Sequence, residues 1–544
     1  MSKQTTERIM DVASYLERLL RKDVLLSLLG LYLTQLVVYR AYKIFIYPYF
    51  VSPLRQLPGP KNHHFLIGHI LNQIRSGHPN EPYLSWMRQW PRTPHGLIRY
   101  LDVGNSDAVL VTGLAAHKEI LHDKCYSFQK PPFFKRLIAD MIGFGLVFTE
   151  GEEHKKQRRL LAGLFSPGNL RALVPLFRDK ASHLSNLLDQ IIETESGVVD
   201  LVSLYSKVML DIMGVFALGV ELGNLESANS NTENPSFDEC YHELFEPDSW
   251  GQILMGLNAV VPVRWLPFEA NRRFKRALST LRNQLMAIIR NRIRTVGEWK
   301  AAGTDSDTYK GKDLLTFMVA EKYYADGDDR WTPEYIMEQI LTFIAAGHET
   351  TASGLLWGTQ LMIEHPGEAK RLRDEIDELL RWEPVPDQRS IENLPYLHNF
   401  TRETLRLQAP GVNVAREAVE DVVVQGVVLP KGTTILIQPA IVNRNPTIWG
   451  PDCDKFRPDR WDSLEGEAAD PWAFATFALG PRVCIGKAMT MLEFKIILVE
   501  LVRKFDIEGL VPDTKVCTIK HLNPSVLLRP EGGLRVRVKR RRAE

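Results

Sequence analysis

The sequence predicts a mainly α fold with small β-sheets, set behind an N-terminal transmembrane helix. Three observations lead there. Val24–Tyr39, VLLSLLGLYLTQLVVY, is uncharged and mostly apolar. Long helical patterns dominate from about Ala115 to Gln408. Two stretches, Ile98–Thr112 and Val419–Ile437, carry β-branched runs broken by turn residues, the pattern of short strands. With 44% hydrophobic and 24% charged residues over 544, the chain has apolar material for a large core. A net charge of +1 argues against nucleic acid as a partner, because that binding needs a concentrated positive field. The five cysteines, Cys125, Cys240, Cys453, Cys484 and Cys517, lie far apart with no CxxC pair. Such an odd, sparse set points to a reducing compartment and away from disulfides or structural zinc.

Each element follows in chain order. Residues 1–23 form a polar flank. As a helix, Val24–Tyr39 reaches only about 24 Å, short of the roughly 30 Å hydrocarbon core. Continuing to Tyr47, with Arg40 and Lys43 snorkelling to the interface, spans it, so the anchor is assigned to 24–47. A cleaved signal peptide fits poorly, since no small-residue cleavage site follows; a buried or interfacial helix is the other reading. Residues 48–60 hold Pro48, Pro53, Pro58 and Pro60, a stiff, non-helical hinge. One globular domain is then expected over 61–544. Ile98–Thr112 reads as a hairpin around Gly-Asn-Ser-Asp. The polar, acidic Glu226–Asp248 reads as a loop, and Pro333–His365 as one long helix. In Val419–Ile437 turns fall at Gly426 and at Lys431-Gly432. A last helix, Lys487–Phe505, aligns Leu492, Ile496 and Val499 on one face. The tail from Lys515 to Arg540 reads as further short strands, with a solvated basic end at Lys539–Arg542.

Four motifs carry chemistry. In FALGPRVCIG (Phe477–Gly486), one cysteine lies between glycines. Gly480 and Gly486 permit tight turns, and Pro481 stiffens the loop. The helix beginning after Cys484 turns its positive end to the sulfur, which favours the thiolate. Arg482 can reach an anion beside it. On these residues alone, nucleophile, metal ligand and buried core thiol all stay open. In FIAAGHETT (Phe343–Thr351), Ala346 and Gly347 open a groove on a helix face. Glu349 and Thr350 add an acid and an alcohol suited to moving protons, although on these residues alone a glycine packing contact with a capping threonine is the favoured reading. In ETLR, Glu403 and Arg406 stand i,i+3 on an apolar helix, where a buried pair needs further partners. FRPDRW (Phe456–Trp461) supplies Arg460 as one.

Taken in order, AGHETT, ETLR, FRPDRW and FALGPRVCIG resemble the membrane-anchored cytochrome P450 family, the haem-thiolate monooxygenases. The resemblance runs from the proline-rich connector at Leu57 to the C-terminal strands. It implies the cytochrome P450 fold, a triangular helical domain plus a minor β domain, and makes 61–544 the catalytic domain. It implies haem b with Cys484 as the axial iron ligand, and Phe477 packed near the sulfur. Ala346, Gly347, Glu349 and Thr350 become the oxygen-binding groove and its proton relay. Glu403, Arg406 and Arg460 become a structural charge cluster behind the haem. Arg416 and Arg482 suit the haem propionates, matching the preference of arginine for carboxylates. HKKQR places His154 and Arg158 on the propionate-binding helix, with His154 where tryptophan is usual. Asn443 stands where histidine is frequent.

The chain has no flavin or nicotinamide motif, so electrons are expected from NADPH through a separate reductase, the NADPH-cytochrome P450 reductase of the same membrane. Lys155, Lys156, Arg159 and Lys487 form a candidate basic docking face, or simply a solvated one. This places the protein in the endoplasmic reticulum as a single-pass protein with a cytosolic catalytic domain. The expected pocket positions Phe343, Ile344, Val412 and Val414 are apolar, with Asn413 between the valines. The segment Pro131–Phe148 resembles the variable loop over the haem, and Gly251–Phe268 is expected to dip into the membrane surface. A lipophilic substrate, of the kind met in fungal secondary metabolism, follows. Two other functions carry over: a reductase-independent haem-thiolate isomerase or dehydratase, and a non-catalytic haem-binding membrane protein. The first predicts loss of the Glu349-Thr350 pair, the second drift in the Cys484 loop; neither has occurred.

Overall fold

The computed structural model describes residues 22–76, 78–194, 197–226, 235–303, 313–324, 331–411, 414–509, 527–528 and 533–541. Its first helix, α1 (Lys22–Phe45), is about 36 Å long at 1.5 Å per residue, enough to cross a bilayer. No part of its apolar window is buried, and Leu26, Tyr32 and Val37 stand open. Such an exposed apolar helix fits a membrane anchor. A second apolar stretch, Leu201–Leu218, lies instead largely inside the core.

The connector departs from the non-helical expectation. Tyr47–Val51 forms a wide helical turn and Pro53–Gln56 a tight one, each with proline in its first turn, where the missing N–H costs nothing. The first turn and the end of α1 are tied to the body. Arg99 donates to the carbonyl of Pro48 at 2.6 Å, and Asn105 to that of Ile44 at 3.1 Å.

The hairpin forms as expected: β1 (Leu97–Leu101) pairs antiparallel with β2 (Asp107–Val111). Its connection turns through Gly104 and Asn105, both at positive φ. With β3 (Phe128–Gln129), β5 (Val414–Ala418) and β8 (Thr434–Ile437) they make one sheet, ordered β1-β2-β8-β5-β3. β6 (Val422–Val424) and β7 (Val427–Leu429) form a hairpin whose two loop residues, Gln425 and Gly426, both take positive φ. The last sheet joins β4 (Val198–Asp200), β10 (Arg535–Arg540) and β9 (Phe505–Gly509).

Eleven further helices are used below: α2 (Pro132–Ile142), α3 (Gly151–Ala162), α4 (Pro167–Thr194), α5 (Leu201–Met213), α6 (Phe237–Phe245), α7 (Ser249–Val260), α8 (Glu269–Ala301), α9 (Pro333–Glu364), α10 (Pro366–Trp382), α11 (Pro395–Leu407) and α12 (Lys487–Lys504). The central one is α9. It starts on Thr332, whose side chain accepts from the Tyr335 amide, with Pro333 at the first position. It is apolar almost all round and accordingly buried, packed on α5, α8, α11 and α12. α12 lies against α4 and carries Leu492, Ile496 and Val499 into the main core.

A further expectation fails. The acidic Glu226–Asp248 stretch contains α6, closed by a capping box in which Ser236 and Glu239 each satisfy the other's backbone N–H. At the basic C-terminal end Lys539 and Arg540 are exposed as expected, and surface ion pairs add to that. Lys539 pairs with Glu508 at 2.8 Å, Arg540 with Glu193 at 2.9 Å and Arg541 with Asp377 at 2.7 Å. Of the strands expected between Lys515 and Arg540, β10 is present; most of the remainder lies outside the described residues, as does Cys517.

Candidate functional site

Where α12 begins, the preceding loop folds back on itself. The amide of Cys484 donates to the carbonyl of Phe477 at 2.8 Å, and that of Val483 to Gly480 at 3.0 Å. Ala478 and Gly480 both take positive φ. At Gly480 a Cβ would sit 2.2 Å from the carbonyl oxygen of Leu121, so only glycine fits. Gly486 precedes the first turn of α12 with no side-chain cap. Its open N–H end therefore serves the sulfur: the amides of Gly486 and Lys487 hydrogen-bond Cys484 and favour the thiolate. Burial by the surrounding protein acts first and pushes the thiol up; those amides, Arg158 and Lys487 pull the other way. The helix-end effect expected from sequence is present, and burial outweighs it. Cys125, Cys240 and Cys453 are buried, whereas the Cys484 side chain is open.

It opens into a cavity of about 310 Å³. Ala346, Gly347 and Thr350 of α9 line that cavity, together with Thr342 and Phe343 one turn earlier. So do His154 and Arg158 from α3, Arg416 from β5, and Arg482 and Gly486 from the cysteine loop. Eight residues singled out in separate parts of the sequence thus meet Cys484 around one space. Phe477 and Gly480, in the same loop, do not line the cavity; their carbonyls accept from the Cys484 and Val483 amides. The notch at Gly347 is filled by Met213 of α5, whose sulfur stands 2.5 Å from where a Cβ would be. Phe343 and Val414 line the cavity; Ile344 faces the core instead, and Val412 and Asn413 lie outside the described residues.

The cations have an order that sequence did not reveal. Arg482 is paired with Glu150 at the start of α3 and donates to the carbonyl of Thr149 at 3.2 Å. Glu150 also accepts from the amide of Lys130 at 2.9 Å, and the Lys130 ammonium lies 3.6 Å away. Lys130 is a lining residue missed entirely, since one lysine before Pro131-Pro132 carries no motif. Burial and the neighbouring Arg416 push its pKa down to about 7. Arg416 is buried too, and burial and Arg482 bring it down to about 10. Among the described residues no carboxylate pairs with Arg158 or Arg416. His154 is pushed down to about 4 by burial, then by Arg482, Lys130 and Arg158, so its ring is neutral at pH 7. Its Nδ1 bonds the Tyr126 hydroxyl at 3.2 Å.

The acid and alcohol of AGHETT part company. Thr350 lines the cavity and donates to the carbonyl of Ala346 at 2.6 Å. Glu349 is buried off the cavity wall, 3.4 Å from Nδ1 of His348, whose Nε2 bonds Ser206 at 2.8 Å. A different carboxyl reaches the wall: Glu493 of α12, buried, 3.5 Å from the Thr351 hydroxyl. Burial pushes it up to about 8, so it holds a proton at neutral pH. A charged residue inside MLEFKIIL was the available signal.

The charge cluster is fully buried. Both carboxylate oxygens of Glu403 accept from Arg406 at 2.8 Å. Arg460 donates at 2.8 Å, and the Arg457 amide and the Trp461 indole each at 3.0 Å. Arg406 spends its other donors on the carbonyls of Asn443 and Cys453 at 2.6 and 2.7 Å. The side-chain amide of Asn443 spans to Thr476, and its oxygen accepts from the Ala475 amide, both at 2.8 Å, so the cluster braces the segment entering the cysteine loop. Lys155, Lys156, Arg159 and Lys487 are exposed, with Lys155 over the Tyr126 ring.

A family model described as "Cytochrome P450" matches residues 58–537. A protein of Aspergillus fumigatus named cytochrome P450 monooxygenase sphH is 32% identical, with 87% of this chain and 86% of that protein covered. Cytochrome P450 monooxygenase FUM15 of Gibberella moniliformis is 29% identical, over 91% and 89%. A crystal structure of the cytochrome P450DA heme domain matches in fold with a TM-score of 0.71 at 22% identity, covering 89% of this chain and 98% of that one.

Proposed function

This chain belongs to the cytochrome P450 family, and on that premise we propose that it is a membrane-anchored monooxygenase inserting one atom of O2 into a lipophilic small molecule. One observation carries the reading: the Cys484 sulfur, four cations and the Thr350 hydroxyl border a single apolar-walled cavity. That donor set fits an iron porphyrin, with a soft sulfur for the metal, apolar walls for the ring and unpaired Arg158 and Arg416 for two carboxylates. Cys484 would hold the iron, and Arg158, Arg416, Arg482, Lys130 and neutral His154 would hold the propionates. When bound, haem supplies oxygen activation, with the thiolate pushing electron density that favours O–O cleavage.

The remaining work belongs to the chain. Thr350 holds a hydroxyl proton at the cavity wall and passes it inward, while Glu349, turned away against His348, does not reach that wall. Phe134, Leu146, Val147, Phe165, Phe216 and Phe343 exclude water and orient an apolar substrate by shape. The reaction RH + O2 + 2 e⁻ + 2 H⁺ → ROH + H2O needs electrons the chain does not generate. NADPH-cytochrome P450 reductase in the endoplasmic reticulum is the proposed donor, meeting the exposed Lys155, Lys156, Arg159 and Lys487. Hydroxylation, epoxidation or oxidative rearrangement of a fungal secondary metabolite is the proposed chemistry, in keeping with the fungal relatives. Turnover of a panel of lipophilic compounds in membranes with reductase tests this. Product formed only with both NADPH and O2 is expected; conversion without NADPH would overturn it.

A further inference from the structure

The loop joining α2 to α3 roofs the cavity, contributing Leu146 and Val147 to its lining. Four hydrogen bonds from three neighbouring side chains of α9 hold it. The amide of Phe144 donates to Glu338 Oε2 at 2.8 Å, that of Gly145 to Thr342 Oγ1 at 3.1 Å, and that of Leu146 to Gln339 Oε1 at 3.0 Å. The Thr342 hydroxyl donates in turn to the carbonyl of Ile142 at 2.7 Å. The backbone lies flush on the helix. A Cβ on Gly143 would fall 2.4 Å from the Glu338 carbonyl oxygen, and one on Gly145 would fall 2.5 Å from Thr342 Oγ1. Glu338 also reaches away from the loop: its Oε1 accepts from Arg282 of α8 at 2.8 Å, an ion pair about three-quarters shielded from solvent. The same side of the roof is tied to α7, where Arg136 of α2 donates to the carbonyl of Ala259 at 3.0 Å and Asn258 to that of Arg136 at 2.8 Å.

From this we infer that Glu338, Gln339 and Thr342 form a latch that fixes the 142–147 roof, and that Arg282 couples the latch to α8. Resting on the monooxygenase reading, this makes Glu338 and Arg282 specificity-determining positioning residues: they touch no substrate, yet set how far Leu146 and Val147 reach into the cavity. The physical ground is that the buried amides of Gly145 and Leu146 need acceptors, and they take them from α9 side chains instead of secondary structure, with Glu338 holding the more exposed Phe144 amide beside them. Thr342 is spent on the loop as well, so the roof offers substrate shape and almost no polar contact. Moving α8 outward strips Glu338 of its counter-ion and weakens its grip on the Phe144 amide.

Two readouts on the haem-loaded, full-length protein test the latch. The first is hydrogen exchange of the 142–148 peptide. The second is the spectral affinity for a series of azoles rising in bulk from imidazole to a triaryl imidazole, which probes cavity shape without turnover. Glu338→Ala removes an ionised acceptor and is expected to speed exchange by about tenfold. It also flattens the discrimination between small and bulky azoles at least about threefold. Glu338→Gln keeps an oxygen for Phe144 and is expected to restore much of the exchange protection, while still losing the azole discrimination as Arg282→Met does. All three variants should retain the spectrum of the thiolate-ligated, CO-bound protein, which separates failure of the latch from failure of the haem-thiolate reading. Wild-type exchange and azole selectivity in Glu338→Ala would overturn the latch. Wild-type behaviour in Arg282→Met would overturn the coupling to α8.

Discussion

Replacing Glu403 by glutamine changes little volume and one charge, and the structure says where the damage falls. Glu403 is the carboxylate of a buried cluster: Arg406, Arg460, the Arg457 amide and the Trp461 indole all donate to it. Arg406 is completely buried, and its other acceptors are the carbonyls of Asn443, Cys453 and Lys455. Arg460 keeps Asp452, at a looser 3.4 Å. The glutamine amide also points two donors into a nest of donors. Leaving one buried ion without its partner costs about 3–5 kcal/mol, against roughly 5–15 kcal/mol for a whole fold. Glu403→Gln is therefore expected to lose about 4 kcal/mol. In expression this appears as a several-fold fall in the fraction of protein carrying a thiolate-ligated haem spectrum, and in a steeply shortened half-life on mild heating. The control is Lys370→Ala, which breaks an exposed 2.7 Å pair with Asp374 on α10 and should stay within about 0.5 kcal/mol. A Glu403→Gln protein as long-lived as that control would refute the reasoning.

Three further outcomes follow from the same geometry. Thr350→Ala removes the hydroxyl at the cavity wall, and NADPH consumption should then yield mainly hydrogen peroxide; unchanged coupling of NADPH to product would contradict the relay. Glu493 titrates near 8 in the folded chain against about 4.5 unfolded, so the proton it holds stabilises the fold fully below pH 4.5, and that contribution is lost as pH rises through 8. Glu493→Gln removes this dependence, so unfolding free energies from urea titrations should move in the variant's favour by on the order of 1 kcal/mol per pH unit from pH 5 to 8 and level off above, and parallel curves would count against it. Deleting residues 1–40 takes away most of α1 and should abolish carbonate-resistant membrane association while leaving the reduced CO spectrum intact; retained resistance would place the anchor elsewhere.

What the sequence made legible was whatever is written locally. The β1–β2 hairpin is announced by Gly104-Asn105, and α12 by its apolar stripe. The cysteine loop is announced by glycines that the fold does require: the Leu121 carbonyl leaves no room for a Cβ at Gly480. The Glu403–Arg406 pair was visible as an i,i+3 pair, but its depth of burial came from the loop around Cys453 and Lys455, distant in sequence. Long-range partners were invisible for the same reason. Glu150 meets Arg482 across more than three hundred residues, and Lys130 becomes a cavity residue only because β3 delivers it beside β5. Glu349 shows the converse: adjacency to Thr350 suggested a joint role at the groove, yet a helix turns neighbours about 100° apart, and the acid ends against His348. α6 was missed by reading acidity as loop, although Ser236 and Glu239 spell a capping box.

The central claim is that Cys484 presents a thiolate to haem iron inside the cavity it opens onto. Its most direct measurement is the difference spectrum of the reduced, carbon-monoxide-bound protein, wild type beside Cys484→Ser. The long-wavelength band of thiolate-ligated haem is expected in the wild type and its loss in the variant. The same band persisting in Cys484→Ser would contradict it.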